Sequence, residues 1–160
     1  MTETPIFILA VVLLVTLLPL GWLARLRRAR HAQNAVQMAR FEQRLLHPNY
    51  AAFKSHYGFE PPVGIRKLYE DRETVLGGEF EIRLPSSRHA WPVACFEPME
   101  DGSWVGVDGF YSFANDGYGN LYLVSLPEAD PQVFFLDHET GEREALGVRL
   151  SEFLTAKQIK

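Results

Sequence analysis

From Thr4 to Ala24 the chain carries no charged residue, and most positions of Ile6–Leu23 are Ile, Leu, Val, Phe or Ala. A helix that crosses hydrocarbon needs about twenty apolar residues. It also satisfies every backbone N–H and C=O within itself. The stretch therefore predicts a membrane-spanning helix within residues 1–26, with a short outside N-terminus. Trp22 suits the interfacial layer, and Arg25, Arg27, Arg28 and Arg30 flank the exit. A cleaved signal peptide places its positive charge before the apolar core and small residues after it. Here the order is reversed, with Glu3 the single charge before the core. Basic flanks stay on the cytoplasmic side, so the expectation is an inner-membrane protein with its C-terminal domain in the cytoplasm.

Residues 27–47 read as a basic juxtamembrane helix, rich in Ala, Gln, Arg and Met and free of Gly and Pro. Met38, Phe41 and Leu45 recur at helical spacing. That stripe suits packing on the following domain, or a partner helix. Pro48 closes the segment. The residues after Leu45 hold ten basic and eighteen acidic side chains, a net of −8 against −4 for the whole chain. Phosphate contacts need clustered Lys and Arg, so nucleic acid is excluded as the expected partner. The charge suits a basic protein partner, or serves only to keep the domain soluble.

Residues 48–160 are long enough for one domain. Asn49 is placed to cap a helix carrying Tyr50, Phe53 and Tyr57 on one face, with Gly58 as its stop. Pro61 and Pro62 open a third helix, buried through Ile65, Leu68 and Tyr69 and ended by Gly77-Gly78. The period then changes to two. Phe80, Ile82 and Leu84 face inward while Glu79, Glu81 and Arg83 face out, which is a half-buried strand. Pro85–Ser87 reads as a loop. A strand over Trp91–Phe96 is confined to an edge or bulge by Pro92. Glu100–Ser103 is a turn, and Trp104–Phe113 is apolar with bends at Gly106 and Gly109. Asp116-Gly117 and Gly119-Asn120 make a turn before a strand at Leu121–Leu126. The apolar run Val133–Asp137 predicts a strand buried on both faces. Glu139–Glu142 turns the chain, Ala145–Val148 is a short element, and Ser151 is placed to cap a last helix bearing Leu150, Phe153 and Leu154.

The run Phe113-Ala114-Asn115-Asp116-Gly117-Tyr118-Gly119-Asn120 before a strand resembles the SUKH superfamily. So do Val133-Phe134-Phe135-Leu136-Asp137-His138-Glu139 and, after a short gap, Leu150-Ser151-Glu152-Phe153-Leu154. That superfamily includes a fungal cell-wall-synthesis regulator and many bacterial immunity proteins against polymorphic toxins. The resemblance spans about Asn49 to Leu154. Pro61 stands where leucine is usual, and Leu76-Gly77-Gly78 replaces Asn-Gly-Gly. The resemblance implies an α+β domain, with helices packed on a twisted antiparallel-rich sheet, and a protein-binding module without catalysis.

The expected function is thus a membrane-anchored binding protein, most concretely one that neutralises a toxin domain. The alternative is a structural or regulatory adaptor in envelope synthesis. Asp116, Tyr118 and Tyr122 offer an acidic and aromatic contact surface, because tyrosine is frequent at interface hot spots. Asp137, His138 and Glu139 complete the candidate contact set. Three consecutive strand residues do not converge on one ion, and the five histidines show no paired metal spacing. The Asp116–Asn120 loop lacks both the carboxylate ladder of an EF-hand and the Lys-Ser/Thr of a phosphate loop. No metal, cofactor or small-molecule substrate is expected. Cys95 lies among Trp91, Val93 and Phe96, which predicts a buried, inert thiol. No serine sits in a nucleophile elbow, so hydrolysis has no local signature.

Overall fold

The computed structural model describes residues 4–84, 89–99 and 109–158, with side chains from 25 to 156. The chain divides into two compact units, Met1–Arg40 and Phe41–Lys160. One helix, α1 (Thr4–Leu46), begins in the first and ends in the second. The expected membrane-spanning helix is corrected here. Among the described residues no helix is long and apolar enough to cross a membrane. The described part of α1 is exposed from Arg25 to Arg40 and carries five arginines there. The apolar stretch 6–23, with Trp22, lies outside the residues whose side chains are described.

The Met38–Phe41–Leu45 stripe is divided. Leu45 is 3% exposed in the core of the second unit and Phe41 packs against that core, whereas Met38 is 57% exposed. Asn49 caps α2 (Tyr50–Tyr57) as its sequence position implies, its Oδ1 accepting from Ala52 N at 3.0 Å. Gly58 ends the helix with φ +81°, a value that costs glycine little. Helix α3 (Val63–Glu70) buries Ile65, Leu68 and Tyr69. It stops before Gly77, because the Asp71 carboxylate accepts from Thr74 N at 3.1 Å and starts a separate turn, α4 (Arg72–Val75). Aspartate competes for local backbone N–H groups in this way.

Two antiparallel sheets follow. The smaller has the order β2-β1-β8, from β1 (Phe80–Arg83), β2 (Ala90–Val93) and β8 (Lys157–Gln158). The larger runs β3-β4-β5-β6-β7 in chain order, from β3 (Cys95–Phe96), β4 (Phe110–Asn115), β5 (Leu121–Ser125), β6 (Gln132–Leu136) and β7 (Arg143–Arg149). The single strand expected over Trp91–Phe96 is split at Ala94 between the two sheets, and Pro92 does lie on an edge strand. The short element expected at Ala145–Val148 is the seven-residue β7. The loop at Pro85–Ser87, the turn at Glu100–Ser103 and the bends from Trp104 to Gly106 lie outside the described residues.

The last helix, α5 (Leu150–Thr155), buries Leu150 and Phe153. Ser151 is not its cap but lies inside it. The Glu152 carboxylate accepts from Arg149 N at 2.8 Å, and Asp130 accepts from Ser151 N at 3.0 Å and from its Oγ at 2.7 Å. A distant aspartate has taken the role expected of the serine.

Helices α2, α3 and α5 all reach one face of the large sheet. Phe53 lies 5.5 Å from Tyr111, and Phe153 lies 5.4 Å from Phe113 and 5.3 Å from Tyr122, between ring centroids. Tyr69 donates to the Glu97 carbonyl at 2.5 Å, so Tyr111, 2.5 Å from the same hydroxyl, must donate to Tyr69. Burial pushes both phenols above their ordinary range. The other face of β6 is only half covered: Phe134 and Leu136 are intermediate in exposure, which corrects the expectation of burial on both faces. There Phe110 and Phe134 stack edge to face at 5.0 Å, and the Arg143 guanidinium lies 4.0 Å above the Phe110 ring. An arginine stem and its cation thus cover what a second layer would otherwise cover.

Candidate protein-binding site

The candidate residues meet at one end of the large sheet, where the β4–β5 and β6–β7 turns lie side by side. In the first turn Asn115 Oδ1 accepts from Gly117 N at 2.9 Å. Asp116 Oδ1 accepts from Tyr118 N at 2.8 Å and from Asn120 N at 3.1 Å, and Asp116 Oδ2 accepts from Asn120 Nδ2 at 2.7 Å. Asp116 is 6% exposed. Its carboxylate is therefore occupied in holding its own loop. In the second turn Asp137 Oδ1 accepts from Glu139 N at 2.8 Å and Thr140 N at 3.0 Å. These backbone donors hold the Asp137 carboxyl below its usual value of 3.8.

Asn120 joins the two turns. Because its Nδ2 donates to Asp116, its Oδ1 faces His138 and accepts from His138 N at 3.0 Å. His138 Nδ1 lies 2.9 Å from the same oxygen. An amide oxygen only accepts, so Nδ1 carries the hydrogen. Gly119 (φ +107°) permits the approach: a Cβ there would stand 3.1 Å from the imidazole.

Of the six candidate contacts, two are placed inward. Tyr122 is fully buried, its hydroxyl donating to Pro92 O at 2.6 Å, so it ties β5 to β2 and presents no surface. Its burial pushes the phenol above its ordinary range. Asp116 holds the turn from beneath. Tyr118, by contrast, is 79% exposed, and Asp137, His138 and Glu139 are on or near the surface. Asp137 serves its turn and His138 serves Asn120, so the three do not share a target.

Beside Tyr118 opens a cavity of about 310 Å³, walled by Glu79, Glu81, Pro92, Ala94, Asp116 and Tyr118 among others. Sequence reasoning passed over Glu79 and Glu81 as outward strand charges. Their i, i+2 spacing beside the inward Phe80 and Ile82 was the available signal. Asn115 and Asn120 were read only as turn residues, although they carry the cross-links. Cys95 is half-buried rather than enclosed. Its Sγ accepts from Asn115 Nδ2 at 3.2 Å, and burial raises the thiol's pKa. Among the described residues no group of three His, Cys, Asp or Glu is arranged to hold a metal ion. No protein-family model, no curated protein and no solved structure matches the chain.

Proposed function

We propose that the domain from Phe41 onward is a non-enzymatic protein-binding module of SUKH type, most concretely one that neutralises a basic toxin domain. The observation that supports this reading is Tyr118, held 79% exposed on a turn pinned by a buried aspartate. A large amphipathic side chain on a rigid support loses little entropy on contact, which is what an interface anchor needs. The surroundings agree in sign: Glu139 lies on the second turn, and Glu81 of β1 and Glu79 just before it line the cavity beside Tyr118. The turn carboxylates favour gripping over reacting, since Asp116 and Asp137 already accept from their own backbone.

The test is protection of cells that express a toxin encoded beside this gene. The full chain is expected to rescue growth and to bind the purified toxin domain. Tyr118→Ala is expected to lose both while remaining folded. Failure against every co-encoded toxin would remove the neutralising version. The adaptor reading draws support from Val36 and Met38, which are more than half exposed in the first unit. It predicts that changing those two residues, and not Tyr118, abolishes partner capture.

A further inference from the structure

We propose that the arginine cluster of α1 binds the anionic headgroups of a lipid bilayer surface. The neutralising role of the second unit neither needs nor supports this contact. Arg25, Arg27, Arg28 and Arg30 fall within six residues of one helix. Every residue from Arg25 to Arg40 is exposed, and Arg40 brings the arginines there to five. No carboxylate stands between Glu3 and Glu42, so the segment has no acidic side chain of its own to pair with. Among the described residues the ion pairs Lys54–Glu60 and Arg149–Glu128 involve none of the five. Around the helix axis Arg25 and Arg28 lie about 60° apart, and Arg27 and Arg30 lie about 60° apart on the opposite side. The cluster thus rings the helix, and a surface meets guanidinium groups from whichever side α1 approaches it. The long apolar stem of arginine extends the reach of each charge.

The whole chain has a net charge of −4, which an anionic surface repels. That charge is divided between the units. Phe41–Lys160 carries nineteen acidic and eleven basic side chains, a net of −8, whereas residues 25–40 carry five basic and no acidic ones. Salt screens charges beyond about 10 Å at 0.1 M. A surface therefore responds to the cluster it touches and not to the net charge of the molecule. Each arginine held near an anionic leaflet strengthens binding roughly fivefold. Nucleic acid also offers phosphate, and an acidic protein offers carboxylates. What favours lipid is the neighbouring sequence: in the same helix, residues 4–24 hold no charged side chain. A bilayer interface takes up cations and apolar side chains together, whereas a polyanion in water takes up only the cations. The proposed contact lies at the headgroups and requires no crossing of the hydrocarbon.

The experiment floats the purified full chain with vesicles on a density gradient. Vesicles of phosphatidylcholine with about 30% phosphatidylserine are expected to bind it at least about tenfold more tightly than phosphatidylcholine alone. Raising NaCl from about 50 mM to about 500 mM should remove most of that preference. The quadruple variant Arg25→Gln, Arg27→Gln, Arg28→Gln, Arg30→Gln should bind both kinds of vesicle alike. Lysine at the same four positions should keep the preference, because the charge and not the guanidinium fork is used. Glutamine and lysine match arginine in helix propensity, so the circular dichroism of both variants should equal that of the parent. Equal binding of the parent to the two vesicles, or an unchanged preference in the glutamine variant, would overturn the proposal. A short DNA duplex that displaces the chain from the vesicles at equal phosphate concentration would overturn the lipid assignment.

Discussion

The two turns at the end of the large sheet use one device at different depths. In each, an aspartate Oδ1 accepts from two backbone N–H groups a few residues on. Asp116 is buried and passes its second oxygen to Asn120, which then holds His138 of the other turn. Asp137 is only partly covered, and water can replace most of what it offers. The same local chemistry is thus a cross-link in one place and a trim in the other. What separates them is the loss of solvent around the carboxylate, since an unmade bond is costly only where water cannot reach.

Asp116→Ala tests this most severely. It leaves three donors without their acceptor, and a loss of about 3 kcal/mol is expected by urea unfolding. A loss no larger than that of an exposed aspartate would break the comparison. Gly119→Ala comes next. Its φ of +107° and the imidazole 3.1 Å away should cost about 2 kcal/mol, and a change at His138 should relieve part of it. Asp137 is expected to matter less and to show itself through pH. Its folded pKa lies below the ordinary 3.8, so its contribution is complete above that value and is lost as pH falls through the folded one. Asp137→Asn keeps an acceptor but not the titration. Its melting temperature should therefore fall less steeply than that of the parent below about pH 4. Tyr118→Ala should change stability least, within about 0.5 kcal/mol as for an ordinary surface position, while changing partner binding most. A large fall in melting temperature for that variant would mean that the ring supports the turn.

Local signals were legible where the chemistry is local. Asn49 as a cap, the stop at Gly58, the inward set Phe80, Ile82 and Leu84, and Pro92 on an edge strand follow from backbone sterics and period two. The change of period at Gly78 marked where helix gives way to strand. Misreadings arose where a distant group decided. Ser151 sits at a plausible cap position, but Asp130, about twenty residues earlier in the chain, captures its hydroxyl. Tyr122 belonged with Tyr118 as an aromatic of the turn, yet its place in β5 shares a face with Val124 and the core. That alternation was readable and was outweighed by composition. The apolar run 6–23 suggested a membrane span, whereas among the described residues no helix is long and apolar enough to cross a membrane.

The sequence alone determined the caps and stops of α2, the period-two strand at Phe80–Leu84, the turn at Asp116–Asn120, and the acidity of residues 46–160. These depend on neighbours a few residues apart. The tertiary structure decided which face of each strand is enclosed, which aspartate is buried, and that Glu79, Glu81 and Tyr118 border one cavity. Burial and convergence join residues some forty positions apart, and no local spacing records how far water has been excluded between them.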